Sequence, residues 1–180
     1  MRVVPTAVDG VAIIEPRVFE DDRGFFMEIW NEARYRAAGI DEQFVQENHS
    51  HSVQGTIRGL HYQVERPQGK LIRVTTGAIY DVAVDLRRSS PTFGKWVGVE
   101  LSADKHRLLW IPAGCAHGFN VTSEVADVSY LCTELYAPAL ERTLRWDDPA
   151  IGIAWPLDGE PLLSTKDAAG LTFNEAPMFS

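Results

Sequence analysis

Glycine and proline cut the chain into short pieces. Its 180 residues carry 14 Gly and 10 Pro, spread along the whole length. The runs between them are rich in Val, Ile, Thr and aromatic side chains, too short for most helices and suited to half-buried strands. The pattern predicts an all-β protein. Candidate strands are Val11–Ile14, Phe25–Trp30, Phe44–Asn48, Thr56–Gln63, Lys70–Thr75, Ile79–Leu86, Trp96–Leu101, Arg107–Ile111, Gly118–Val121 and Val125–Tyr136. Only Asn31–Ala38 reads as a helix, which Asn31 can N-cap and Gly39 can end. A further helical turn is expected around Ser164–Ala169, capped by Ser164. Many short strands and one or two short helices describe a jelly roll, a β-sandwich or barrel whose interior can hold a ligand. No linker or internal repeat interrupts it, so one domain over residues 1–180 is expected.

Charge narrows the partners. The formal net charge is -8, which disfavours nucleic acid and anionic membranes, since neither supplies counter-charge to an acidic surface. A single small polyanion remains compatible if Arg and Lys gather locally. Cys115 and Cys132 are too few for a disulfide framework and are expected as free thiols in a reducing compartment. No signal-like or membrane-length apolar run is present, so the protein is read as cytoplasmic.

Strand alternation assigns faces. Ile79, Asp81, Ala83 and Asp85 share one face, and Tyr80, Val82 and Val84 the other. A carboxylate such as Asp81 among apolar neighbours must find a partner. Gln46 and Asn48 share a face that Glu47 opposes, and Tyr130 and Tyr136 have the same parity in the last long strand.

The densest polar stretch on this apolar background is Arg58-Gly59-Leu60-His61-Tyr62-Gln63, followed closely by Pro67-Gln68-Gly69-Lys70. Alternation puts Arg58 and His61 on opposite faces. If both serve one pocket, the strand must bulge or kink, and Gly59 permits that. A second cluster, Pro112-Ala113-Gly114-Cys115-Ala116-His117, resembles the second motif of cupins, whose histidine often binds a metal. Metal-binding cupins also carry a His-x-His pair and a Glu in their first motif; the corresponding place here reads His61-Tyr62-Gln63. His61 and His117 alone make a poor metal site, and although His49-Ser50-His51 is a His-x-His, a metal-free centre without cofactor is expected.

Taken in order, many stretches resemble the dTDP-4-dehydrorhamnose 3,5-epimerase family. They include Pro16-Arg17-Val18-Phe19, Asp22-Arg23-Gly24-Phe25-Phe26, Phe44-Val45-Gln46-Glu47-Asn48-His49-Ser50, Arg58-Gly59-Leu60-His61 and Gln68-Gly69-Lys70-Leu71. Asp81-Val82-Ala83-Val84-Asp85, Ser90-Pro91-Thr92-Phe93-Gly94, Ala116-His117-Gly118-Phe119 and Ile151-Gly152-Ile153-Ala154-Trp155-Pro156 continue the match. The resemblance implies a cupin-type jelly roll, a homodimer and a dTDP-4-keto-6-deoxyhexose substrate. It implies His61 as general base, Tyr130 as general acid, Asp167 as the carboxylate orienting the base, and Lys70 near the ketone. His117 with Asp81 would form a second pocket pair. Arg23, Glu28, Gln46, Asn48, Arg58, Glu141 and Lys166 would contact the nucleotide sugar and Tyr136 would stack on thymine, with Arg23 and Glu28 reaching the partner subunit's site. Tyr62, where the family often has Phe, and Glu47, where it often has Asp, depart mildly.

These residue types suit epimerisation beside a ketone. An imidazole, ordinarily titrating at about 6.5, can take the α-proton near neutral pH. An ammonium can hold the enolate oxygen, and a phenol can return a proton to the other face. A C3- or C5-mono-epimerase of a related deoxysugar is the alternative, and a metal-dependent cupin enzyme a more distant one.

Overall fold

The computed structural model describes residues 1–180. It opens with β1 (Arg2–Pro5), β2 (Ala12–Glu15), β3 (Val18–Asp21), β4 (Gly24–Met27) and α1 (Glu32–Ala37). Then come β5 (Gln46–Val53), β6 (Ile57–Gln63), β7 (Lys70–Thr76), β8 (Ala78–Asp85) and β9 (Trp96–Ser102). β10 (Leu108–Ile111), β11 (Cys115–Val121), β12 (Val125–Cys132), a 3-10 turn (Pro138–Leu140), β13 (Glu141–Thr143) and α2 (Thr165–Ala168) complete it. The all-β expectation holds, and both helices sit where their caps placed them. Asn31 Oδ1 accepts from the Arg34 amide at 3.2 Å, and Ser164 Oγ accepts from the Asp167 amide at 3.1 Å.

Two sheets face each other. One runs β1-β2-β10-β7-β12-β5 and the other β13-β6-β11-β8-β9. Their facing sides make the main core. Ile72, Val74, Leu109, Ile111, Ala126 and Val128 come from the first sheet, and Ile79, Ala83, Val99, Leu101, Phe119 and Val121 from the second. The face assignment for β8 holds: Ile79 and Ala83 point into this core, whereas Val82 and Val84 point out, under the C-terminal segment with Ile151 and Ala176. The first sheet's outer side is covered by Tyr35 of α1 and Ile40, packed on Ile14, Leu71 and Leu108. Each fully buried Leu or Ile contributes about 1.5–3 kcal/mol of transfer free energy.

Several strand bounds differ from expectation: β5 runs from Gln46 on to Val53 rather than from Phe44 to Asn48, and β11 starts at Cys115 rather than Gly118. The last long strand stops at Cys132 rather than Tyr136: further on, the Tyr136 and Ala137 amides donate to the Gln46 and Gln63 side chains, at 2.8 and 2.6 Å, instead of to a neighbouring strand's backbone. Tyr136 therefore lies in a loop, and strand parity with Tyr130 does not apply to it. The strand expected over Phe25–Trp30 ends at Met27, and β1, β3 and β13 were not anticipated. These three are short, and each carries charged or proline residues that blur alternation.

Candidate active site

Strand β6 runs between β13 and β11, so His61 sits mid-sheet with Thr143 on one side and His117 on the other. The register of β11 on β6 shifts between His117 and Phe119: His117 faces His61, but Phe119 faces Arg58. Three residues of β6 therefore span two of β11. That bulge is the condition the sequence set, and through it Arg58 and His61 line the same cavity. Gly59 is required there. Its φ is +120°, and a Cβ would lie 2.5 Å from Gly118 Cα and 2.6 Å from the His117 carbonyl oxygen. Two backbones meet where no side chain fits.

The cavity has a volume of about 310 Å³. From β5 it receives Gln46, Asn48 and Ser50; from β6, Arg58 and His61; from β11, His117 and Phe119. Lys70 begins β7, Tyr130 lies on β12, and Gln68, Tyr136, Glu141 and Lys166 close the rim. Arg58, Lys70 and Lys166 line it with Glu141 as the one carboxylate in the lining, so basic side chains gather locally inside an acidic chain, as a small polyanion would require.

Two histidine–carboxylate pairs stand side by side. His61 Nε2 is 2.5 Å from Asp167 Oδ1, and His117 Nε2 is 3.0 and 3.1 Å from the two oxygens of Asp81. Asp81 is fully buried and His117 nearly so. Burial drives the His117 imidazolium down in pKa, and the Asp81 charge only partly opposes that. For Asp167, burial pushes the carboxyl up, but the His61 hydrogen bond and charge and the Ser164 hydroxyl outweigh it and hold it below the ordinary range.

Lys70 is only 8% exposed, and its ammonium has no hydrogen-bond or ion-pair partner. Burial lowers its pKa, countered in part by Cys132, Glu141 and Asp81. Tyr130 is shifted the opposite way, its phenol raised mainly by burial. The cavity thus holds an imidazole with a fixed carboxylate, a buried lysine without a partner and a buried phenol.

The polar residues of the rim interlock. Gln46 Nε2 donates to Asn48 Oδ1 at 3.0 Å, while Gln46 Oε1 accepts from the Tyr136 amide at 2.8 Å. Glu141 Oε2 accepts from both Lys166 Nζ at 2.8 Å and the Tyr136 hydroxyl at 2.9 Å. Burial raises Glu141, yet those two donors and the nearby His61 bring it below its ordinary value. Arg58 Nε donates to Ser52 Oγ at 2.8 Å, which aims the guanidinium along the cavity.

Arg23 and Glu28 are not brought to the cavity of their own chain. Arg23 pairs with Asp21 at 2.5 Å and Glu28 with Arg34 at 2.9 Å. They belong to an exposed region that includes the β3–β4 hairpin, whose Phe19, Phe25 and Phe26 are 49%, 55% and 71% exposed. The His49-Ser50-His51 pair also stays out: both rings bond Asp127 Oδ1, at 3.1 and 3.0 Å, on the outer side of β5 and β12. Ser50, Gln68 and Phe119 line the cavity without having been singled out. Ser50 shares the Asn48 face of β5 and Phe119 follows His117 by two on β11, so strand parity held the signal for both.

A profile described as dTDP-4-dehydrorhamnose 3,5-epimerase matches residues 5–175. The chain belongs to the dTDP-4-dehydrorhamnose 3,5-epimerase family. A family relative from Pseudomonas aeruginosa is 53% identical over 180 residues, covering 99% of each chain. One from Neisseria gonorrhoeae is also 53% identical, over 98% of this chain, which spans 54% of that longer relative. The crystal structure of the Legionella pneumophila Philadelphia 1 dTDP-6-deoxy-D-glucose-3,5-epimerase in complex with dTDP-4-keto-L-rhamnose superposes with a TM-score of 0.93 at 48% identity, covering 96% of this chain and 93% of that one. The cupin-type jelly roll of the family is the fold seen here. No helix of the chain is long and apolar enough to cross a membrane, and Cys115 and Cys132 are free and buried.

Proposed function

We propose that this epimerase inverts C3 and C5 of dTDP-4-dehydro-6-deoxy-D-glucose to give dTDP-4-dehydro-L-rhamnose. One observation carries the reading: the Asp167-held His61 and the unpartnered, nearly buried Lys70 face a single cavity with Tyr130. His61 removes the proton α to the ketone, and Asp167 stabilises the imidazolium that forms. The electron pair moves onto the carbonyl oxygen, where Lys70 meets the developing enolate charge; such a donor is typically worth about 3–4 kcal/mol. Tyr130 gives its phenolic proton to the carbon from the opposite face, and solvent restores both groups. Repetition at the second carbon completes the double inversion. The reaction as written needs no cofactor.

Arg58, with Lys166, suits the diphosphate, and Gln46, Asn48, Glu141 and Tyr136 suit the sugar and thymine. His117 and Asp81 form the cavity wall beside the base. The exposed aromatic hairpin supports a homodimer in which Arg23 and Glu28 reach the partner's cavity. The free buried thiols support a cytoplasmic setting.

Proton NMR in D2O with dTDP-4-dehydro-6-deoxy-D-glucose tests the reaction. Deuterium entering both C3 and C5, with an L-configured product trapped by a reductase, is the expected outcome. Exchange at one carbon only would replace this reading with a mono-epimerase. His61→Ala abolishes exchange at both carbons, and Tyr130→Phe impairs inversion more than exchange; near-normal exchange in His61→Ala would remove the assigned base.

A further inference from the structure

The carboxylate that holds the base is itself held by a residue outside the cavity. Asp167 is buried, 3% exposed, and its two oxygens are divided between two partners. Oδ1 meets His61 Nε2 at 2.5 Å, and Oδ2 accepts from Ser164 Oγ at 2.8 Å. The same Ser164 oxygen accepts from the Asp167 amide at 3.1 Å. A hydroxyl has one proton to give. With the amide taking a lone pair and the carboxylate the proton, the rotation of the Ser164 hydroxyl is fully determined.

Ser164 is in turn fixed to the strand that bears the base. Leu162, two residues earlier, exchanges backbone hydrogen bonds with that region: its amide donates to the Gly55 carbonyl and its carbonyl accepts from Ile57, both at 3.0 Å. Ile57 begins β6 and His61 lies four residues along it. The chain thus closes a loop of contacts, from β6 to Leu162, Ser164, Asp167 and back to His61 on β6. Carboxyl rotation about χ2 has a broad, soft preference, so a second partner on Oδ2 is what defines the plane of the Asp167 carboxylate. No other side chain donates to Oδ2.

We propose that Ser164 is a positioning residue of the epimerase. Its hydroxyl sets the plane of the Asp167 carboxylate, and through it the His61 ring, for proton abstraction. The inference rests on the reading of His61 as base and extends it by one residue. A serine serving only as helix cap would affect α2 and stability, whereas a positioning serine also governs the chemical step.

The experiment compares Ser164→Ala, Ser164→Gly and Ser164→Thr in the full-length protein, well below each melting temperature, with dTDP-4-dehydro-6-deoxy-D-glucose. Glycine keeps most of the cap's stability and lacks the hydroxyl; threonine keeps both. Ser164→Ala and Ser164→Gly are expected to lose kcat by roughly 10- to 100-fold with KM nearly unchanged, the size of effect that follows from small misplacement of a reacting group. Ser164→Thr should restore most of kcat. The short His61–Asp167 hydrogen bond should give a downfield imidazole N–H proton signal that broadens or moves in the Ala and Gly variants and returns with Thr. Folded Ala and Gly variants with wild-type kcat would overturn the proposal, as would a Thr variant that folds without regaining rate. His61→Asn separates the two levels. If it keeps full exchange, the base assignment fails; if it is inactive while Ser164→Gly is normal, only the role of Ser164 fails.

Discussion

Gly59→Ala tests whether the close approach of β6 and β11 builds the site. The added Cβ would stand 2.5 Å from Gly118 Cα and 2.6 Å from the His117 carbonyl oxygen, both backbone atoms that cannot swing aside. Two costs add. Holding a non-glycine residue at φ +120° costs on the order of 1–3 kcal/mol. Forcing the strands apart costs roughly another 1–3 kcal/mol as overpacking. For a chain of this length each kcal/mol lowers the melting temperature by about 2–4 °C, so a fall of roughly 4–24 °C is expected. Gly55→Ala is the control. Gly55 also has positive φ, +75°, but a Cβ there meets nothing within 4 Å, so only the backbone cost applies. The assay is a thermal melt of both variants, paired with C–H exchange in D2O at a temperature where both are folded. Gly59→Ala should melt lower than Gly55→Ala and lose exchange by at least tenfold, because widening that gap moves His61 and His117 apart. If Gly59→Ala matches Gly55→Ala in melting temperature and keeps wild-type exchange, the argument from close approach is wrong.

Other outcomes follow from burial. The Tyr62 hydroxyl is buried without a hydrogen-bond partner, its pKa pushed up to about 12 by that burial, while the ring packs edge-on to Phe179 at 6.1 Å. Tyr62→Phe should therefore be neutral or stabilising by about 1 kcal/mol, and a loss larger than that in a denaturant titration would mean the hydroxyl has a partner after all. Burial moves Lys70 down and Tyr130 up, so the alkaline limb of kcat/KM should report Lys70 losing its proton, below the ordinary lysine value of 10.5. For this group, the protonated form is disfavoured in the folded state, so its burial costs stability below the folded pKa and the cost fades as pH rises. Tyr130→Phe should leave the limb of residual exchange in place; a limb that disappears in that variant would assign it to the phenol instead.

The sequence made the sandwich legible because its core strands alternate cleanly. Ile79 to Asp85 declared both faces and even marked Asp81 as a carboxylate in need of a partner, which proved to be His117. Gly59 between Arg58 and His61 declared the bulge. Contacts made over long separation were silent. Asp167 lies 106 residues from His61, in a stretch that by itself reads as an exposed helix end, and only the family resemblance joined the two. Parity misled at Tyr136 because alternation cannot say where a strand stops; past Cys132 the backbone is held by the Gln46 and Gln63 side chains, far away in sequence. Nothing local in the sequence of Arg23 and Glu28 told that they would lie away from their own chain's cavity.

The strand of His61 has neighbours on both sides, so this histidine cannot come loose unless the sheet itself opens, and its amide should be among the last to exchange with solvent. The side-chain ends of Tyr136 and Lys166, by contrast, are bonded only to Glu141, although the four-residue helix that bears Lys166 is itself pinned to β6 through Asp167. Warming should then erode the two halves of the enzyme in sequence. With Tyr136 and Lys166 on the nucleotide as proposed, binding slackens first, as a rising KM, while turnover of whatever still binds persists until the whole fold gives way.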